Sequence, residues 1–136
     1  MSTAAEFRTA IEQRDLSAIP RLFAPDARLY SPVKFSPFKG IDEITGLFTV
    51  LLATFENFRY VGELSGASLR TSESGDTDTE ILVFRAHVGD KQIHGIDMIQ
   101  LDENGQIDEF TVMIRPVSAL MALGKAVSEG LAQTAP

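Results

Sequence analysis

The segment Thr79–Leu101, TEILVFRAHVGDKQIHGIDMIQL, decides the fold of this chain. Apolar and polar residues alternate on both sides of Gly89-Asp90, a dipeptide typical of the tight turn between two antiparallel strands. We therefore predict strands over Thr79–Val88 and Lys91–Leu101, joined as a hairpin.

The period of two continues on both sides of this hairpin. It predicts further strands at about Phe58–Leu69 and Ile107–Arg115, with Asn104-Gly105 as the next hairpin turn. Long strands in direct succession favour an antiparallel meander.

Segments with apolar residues at helical spacing lie before and after the meander in the sequence. We predict helices over Ser2–Arg14, over Leu16–Phe23, from Asp42 to Phe55, and after Ser118, with a short strand at Ala27–Ser31. Helices followed by a meander favour an α+β fold. We expect a curved antiparallel sheet wrapped around the N-terminal helices, with a C-terminal helix and a small apolar pocket.

Composition narrows the functional classes. The length of 136 residues predicts one domain over residues 1–136. The net charge is −7 and the 12 Lys and Arg residues form no run, so we expect neither nucleic acid nor membrane as a partner. The chain has no cysteine, which fits a cytoplasmic location. We expect no metal and no cofactor.

Five short motifs carry a family resemblance: Leu22–Ala27 (LFAPDA), Tyr30–Val33 (YSPV), Gly95–Asp97 (GID), Asp102–Ile107 (DENGQI) and Arg115-Pro116. In this order and spacing they make the chain resemble the nuclear transport factor two-like superfamily. That group includes SnoaL-like polyketide cyclases, ketosteroid isomerases and limonene epoxide hydrolase. The resemblance implies a cone-shaped α+β barrel, commonly dimeric, with a pocket for apolar small molecules.

The resemblance to ketosteroid isomerases carries one catalytic residue over to this sequence. Their tyrosine position matches Phe7 and their general-base position matches Ser31, so both groups are absent here. Their protonated aspartate matches Asp97, which is present.

The resemblance to limonene epoxide hydrolase is also incomplete. The arginine of its catalytic triad matches Arg85, whereas its two aspartates match His87 and Val112. The family therefore implies a pocket but not one reaction.

Asp97, His87 and Arg85 are the candidate catalytic residues. Asp97 lies among apolar neighbours, where burial raises the pKa of a carboxyl and lets it donate a hydrogen bond to a carbonyl or enolate. His87 is a candidate base and Arg85 an electrostatic partner. The alternatives are a structural ion pair between Asp97 and an arginine, and an ordinary core or surface histidine.

The hairpin register conflicts with this set of three. A two-residue turn at Gly89-Asp90 pairs Arg85 with His94 and Leu82 with Asp97, so that Asp97 faces away from Arg85. For all three to share one pocket, a β-bulge must lie between Gln92 and Asp97, and Gly95 is the expected place for it.

The remaining predicted pocket residues are apolar, apart from Ser31. They are Phe7, Leu29, Ser31 (or Tyr30), Phe35, Phe38, Leu51, Phe55, Val83, Phe110, Val112 and Ile114, with Phe35 or Phe38 as a lid. The alternate residues of the last strand face the other side of the sheet. They are Glu109, Thr111, Met113 and Arg115, and we expect a homodimer through them.

Three functions fit these patterns. The first is a cofactor-independent isomerase, cyclase or hydrolase that acts on a lipophilic carbonyl compound or epoxide by acid–base catalysis. The second is a non-catalytic binder of an apolar small molecule, and the third is a dimerisation or interaction module.

Overall fold

The computed structural model describes residues 2–134. Its helices are α1 (Thr3–Glu12), a 3-10 turn (Leu16–Ala18), α2 (Ile19–Leu22), α3 (Gly40–Thr54) and α4 (Val117–Thr134). Its strands are β1 (Phe23–Tyr30), β2 (Phe38–Lys39), β3 (Glu56–Leu69), β4 (Asp76–Val88), β5 (Lys91–Leu101) and β6 (Ile107–Arg115).

The strands form one six-stranded sheet in the order β2-β1-β6-β5-β4-β3. The four predicted long strands pair as an antiparallel meander, and β1 joins the far side of β6 in parallel. The sheet is therefore mixed, curved and open, and the predicted α+β class is confirmed. The helices cover one face, here called the inner face, and the opposite face is the outer face.

The start of β1 differs from the prediction. The strand was expected at Ala27–Ser31, but it begins at Phe23 and runs through Pro25. The pairing of β1 with β6 shifts register between Phe23 and Arg28. A proline within this irregularity removes no regular ladder hydrogen bond, so the strand tolerates it.

Two helix starts also differ from the prediction. The third helix begins at Gly40 and places Asp42 in its first turn, where a carboxylate interacts favourably with the helix dipole. The last helix begins at Val117, one residue before the expected cap at Ser118.

The β3–β4 loop covers part of the outer face. Thr71 Oγ1 lies 2.6 Å from Thr111 Oγ1, and Ser72 binds Glu109 through both its backbone N–H (2.9 Å) and its hydroxyl (2.7 Å). Glu109 and Thr111 are consequently buried, with 1% and 8% exposure. These two residues were expected to be free for a second copy, and that expectation is wrong for them.

The ladder between β4 and β5 is regular, so the predicted bulge is wrong. Arg85 pairs with His94 and Leu82 with Asp97, as a plain two-residue turn requires. Gly95 has another role: a Cβ at this position would lie 2.4 Å from Cζ of Phe84. The glycine makes room for that ring rather than for a bulge.

Candidate functional site

A cavity lies between the inner face of the sheet, α3 and α4. Its volume is about 70 Å³. Leu120, Leu123 and Val127 of α4 close one side of it. The polar side chains that line it are Ser31, Tyr60 and Asp97, and the other lining residues are apolar.

Seven of the predicted pocket residues line this cavity together with Asp97. They are Leu29, Ser31, Phe38, Leu51, Phe55, Val112 and Ile114. Their shared position follows from strand alternation and from the apolar stripe of α3.

Four predicted pocket residues do not line the cavity. Phe7 and Phe110 are fully buried in an aromatic cluster, where their ring centroids are 5.0 Å apart. Val83 pairs with Gly62 and Ile96, and its odd position in β4 places it on the outer face. Phe35 is 99% exposed and does not act as a lid in this structure.

Arg85 and His87 lie on the outer face, away from Asp97. Because β4 alternates regularly, its buried residues Phe84 and Ala86 face inward and these two side chains face outward. The ring of His87 approaches Glu56 at 3.8 Å. The predicted set of Asp97, His87 and Arg85 is therefore not assembled.

Asp97 is the carboxyl of the cavity. Its Oδ2 accepts a hydrogen bond from the Tyr60 hydroxyl at 3.0 Å, and no other described residue bonds its side chain. Burial raises the pKa of Asp97 from 3.8 to about 7, and the hydrogen bond from Tyr60 opposes part of that rise. Near neutral pH this carboxyl therefore populates both its acid and its base form.

Tyr60 is the polar cavity residue that the sequence did not predict. A bulge in β3 shifts the register between Tyr60 and Gly62, and the inserted Val61 is exposed. Tyr60 pairs with Phe84 before the bulge, and Glu63 pairs with Leu82 after it. The bulge keeps Tyr60 in phase with the inward residues of β4, and the glycine at position 62 was the available signal.

Residues 4–110 match the SnoaL-like domain family. This chain belongs to the SnoaL-like family. A steroid delta-isomerase from Pseudomonas aeruginosa is 37% identical to it, with a TM-score of 0.84 over 96% of this chain and 90% of that chain. Among functionally curated proteins, none matches the sequence significantly.

Two further solved structures resemble this SnoaL-like protein. An uncharacterised protein with a cystatin-like fold from Silicibacter pomeroyi is 27% identical, with a TM-score of 0.79 over 93% of this chain and 83% of that chain. The epoxide hydrolase/cyclase-like enzyme SalBIII, from pyran ring formation in the polyether salinomycin, is 17% identical. Its TM-score is 0.64, over 85% of this chain and 89% of that chain, and at this identity it supports the fold alone.

Arg8 connects the cavity of this SnoaL-like protein to α1. Its guanidinium lies over the Tyr60 ring, 5.7 Å from the centroid, and its Nη1 donates to Glu63 at 2.5 Å. Burial and the charge of Asp97 raise the pKa of Tyr60 well above 10, and the Arg8 cation opposes part of this rise. The phenol therefore stays protonated and able to donate to the carboxyl.

Two kinds of feature are absent from the described residues, 2–134. No group of histidine, cysteine, aspartate and glutamate side chains among them could hold a metal ion. None of the helices in this range combines the length and the apolar character needed to cross a membrane.

Proposed function

We propose that this chain, as a single SnoaL-like domain, binds a lipophilic carbonyl compound in its cavity and moves a proton on it without a cofactor. Asp97 is the proton-transfer group and Tyr60 holds it. The observation that carries the proposal is the Asp97 carboxyl, buried in an apolar cavity, with Oδ2 bonded to Tyr60 and Oδ1 free of any described partner.

The position and pKa of Asp97 suit a proton shuttle. As a carboxylate, Asp97 takes a proton from a carbon next to the substrate carbonyl, which breaks a C–H bond and leaves an enolate. As the acid, it returns that proton to another carbon of the enolate, so that a double bond moves. A pKa of about 7 favours both steps near neutral pH.

The ligand's oxygen requires a hydrogen-bond donor. Ser31 lines the cavity, and its Oγ accepts a long hydrogen bond from the Val33 N–H at 3.4 Å. Its hydroxyl proton therefore stays available to a ligand. Arg85 and His87, which were expected to assist Asp97, are on the other face and take no part in this proposal.

The likeness to the steroid delta-isomerase supports an isomerase over a hydrolase. A specific observation favours a second candidate, a non-catalytic binder of an apolar molecule: apart from Ser31, Tyr60 and Asp97, the described residues that line the cavity are apolar. Asp97 is the one among them that titrates near neutral pH. A shuttle needs no second base, whereas hydrolysis would also require an activated water.

The test is proton exchange on a β,γ-unsaturated steroid ketone in deuterated buffer, followed by mass spectrometry. We expect the protein to move the double bond and to incorporate deuterium, with a rate that rises through about pH 7 as Asp97 ionises. Asp97→Asn should lower kcat by about 100-fold or more and change KM little. Asp26→Asn, which makes the same change at an exposed aspartate, is the matched control.

Two outcomes contradict the isomerase proposal in different ways. Saturable binding of the ketone without exchange would support the non-catalytic binder. Neither binding nor exchange, with a panel of apolar ketones, would overturn both uses of the cavity and favour an interaction module.

We also propose that the protein is a homodimer through the part of its outer face that the β3–β4 loop leaves open. Leu64 and Met113 are 58% and 52% exposed there, and exposed apolar side chains clustered on a sheet face mark interaction sites. Native mass spectrometry at micromolar concentration tests this, and a monomer would contradict it.

A further inference from the structure

The C-terminal helix α4 forms one wall of the cavity. Leu120, Leu123 and Val127 line the cavity from this helix, and the sheet, α1, α3 and the β1–β2 loop supply the other walls. The helix begins at Val117, beyond residues 4–110 that match the SnoaL-like family. The family match therefore assigns no role to α4.

The polar side chains of α4 do not attach this helix to the rest of the protein. Within the part of the chain that the structure describes, they form no hydrogen bond or ion pair with another residue. They are Ser118, Lys125, Ser128, Glu129 and Gln133. The helix α1, by comparison, is tied to β3 by the ion pair between Arg8 and Glu63.

The burial of α4 is also shallower than that of α3. Among the described side chains of α4, Ala119 and Leu123 are the buried ones, and both lie in its first half. The helix α3 buries residues along most of its length, from Ile44 to Leu52. Elements with few buried apolar contacts open locally at a lower free energy than the core. Beside the cavity, α4 is the element of this kind.

The closed cavity is too small for a steroid ketone. Its volume is about 70 Å³, whereas pockets for drug-sized ligands are roughly 300–1,000 Å³. A ligand of that size enters only when one wall moves. Ladder hydrogen bonds join the strands of the sheet wall, and deep burial holds α3, so α4 is the wall that can move.

A glycine sets the close approach of the second half of α4 to α3. A Cβ at Gly130 would lie 2.5 Å from Cγ1 of Val50, which is closer than real Cβ contacts. A larger residue at this position therefore moves the helix or Val50. The closed position of α4 depends on the absence of a side chain at Gly130.

We infer that α4 is the lid of the cavity, and that it turns about its junction with β6 and leaves α3 to admit the ligand, then packs back over it. This inference rests on the proposed binding of an apolar ketone and adds the route by which that ketone enters. It makes the opening of α4 the step that limits ligand association.

A reversible disulfide between α3 and α4 tests the lid. The chain has no cysteine, and a Cβ at Gly130 would lie 3.6 Å from Cβ of Val50. This distance is within the range of about 3.5–4.5 Å that a disulfide requires. In oxidised Val50→Cys with Gly130→Cys, the disulfide holds the second half of α4 while β6 holds its start. Reduction of the same protein releases the helix, and the two single variants are the controls for the oxidant.

Stopped-flow fluorescence measures ligand association with prodan, a naphthyl ketone whose emission shifts to shorter wavelength in apolar surroundings. We expect the oxidised double variant to bind prodan at least about 10-fold more slowly than the reduced protein, because its lid cannot open. The β,γ-unsaturated steroid ketone of the proposed assay serves as a second ligand and should show the same difference.

Hydrogen exchange with mass spectrometry tests the opening in the unmodified protein, independently of any substitution. We expect the amides of α4 to exchange at least about 10-fold faster than those of β5. Saturating prodan should slow the exchange of α4, because the ligand binds the closed form and shifts the equilibrium toward it.

A substitution that displaces the lid should have the opposite effect from the disulfide. Gly130→Leu adds a side chain that does not fit beside Val50, so we expect faster exchange in α4 and prodan association that is about 5-fold faster. Ser128→Leu, which adds the same side chain at an exposed position of α4, is the matched control and should behave like the parent.

The outcomes separate the lid from the proposed function. Slower association in the oxidised protein, together with protection of α4 by prodan, supports the lid. Equal association rates in the oxidised and reduced proteins overturn the lid and keep the cavity as a binding site. Exchange in α4 that is no faster than in β5 also overturns it. Absence of binding of both ketones to the parent and to the reduced protein overturns the proposed function and the lid together.

Discussion

Asp97 and Glu109 are both buried carboxyl groups of the same sheet, and their surroundings differ in kind. Asp97 is 6% exposed, on the inner face, and among the described residues the Tyr60 hydroxyl is its one side-chain partner. Glu109 is 1% exposed, on the outer face, and accepts hydrogen bonds from Ser72 and Arg28.

The comparison separates a structural carboxylate from one available for chemistry. Glu109 lies 3.3 Å from Arg28 and 3.6 Å from Arg70, which supply the positive charge that a buried carboxylate needs. No cation within residues 2–134 contacts Asp97, so burial makes its ionised form costly and raises its pKa to about 7. A carboxyl kept near the midpoint of its titration is the one that exchanges protons.

The largest expected effect on stability comes from the substitution Glu109→Gln. Removing this charge takes the shared carboxylate away from Arg28 and from the mostly buried Arg70, which then keeps only Asp108 as an ion-pair partner, and it loosens the β3–β4 loop. We expect a loss of about 4 kcal/mol in the free energy of unfolding, measured by urea denaturation. Glu103→Gln, in an exposed turn, should change stability by less than about 0.5 kcal/mol. A loss under about 1 kcal/mol for Glu109→Gln would show that water replaces the carboxylate as the partner of the two arginines.

The next effect depends on pH and concerns Asp97→Asn. The folded pKa of Asp97, about 7, is above the ordinary 3.8, so the folded state holds this proton after the unfolded chain has lost it. The contribution of Asp97 to the parent's free energy of unfolding is therefore complete below about pH 4, and it is lost as the pH rises to about 7. This rise in the pKa of Asp97 corresponds to at most about 4 kcal/mol in the free energy of unfolding.

For Asp97→Asn this linkage disappears. We expect the variant to equal the parent near pH 4 and to exceed it by roughly 3 kcal/mol at pH 8, since buried sites relax somewhat. Urea denaturation at a series of pH values measures the difference, with Asp26→Asn as the control. A constant difference across that range would mean that the Asp97 carboxyl is not the poorly compensated group described here.

The register of the central hairpin could be predicted from sequence, and the candidate site only in part. Gly89-Asp90 alone gave the correct pairing of Arg85 with His94 and of Leu82 with Asp97. The family resemblance placed Arg85 and His87 in the pocket, but the alternation of side chains along β4 places both on the outer face. Asp97 was predicted as a pocket residue from its match to the protonated aspartate of ketosteroid isomerases and from its apolar neighbours in the strand, and it does line the cavity.

The position of Tyr60 could not be predicted in the same way. Tyr60 depends on the bulge at Val61, which changes the phase of alternation within one strand, and a period of two does not show where that change occurs.

The smallest effect sharpens the comparison most directly, because Tyr60→Phe removes one hydroxyl and leaves Asp97 buried. Without this donor, which favours the ionised form, the pKa of Asp97 should rise above 7. At pH 8 the variant should lose about 1–2 kcal/mol of stability. Carboxyl-carbon NMR with labelled aspartate follows the titration.

Tyr30→Phe is the matched control, since the Tyr30 hydroxyl has no hydrogen-bond partner among the described residues. An unchanged Asp97 titration in Tyr60→Phe would mean that the phenol does not hold the carboxyl in solution, and that burial alone distinguishes Asp97 from Glu109.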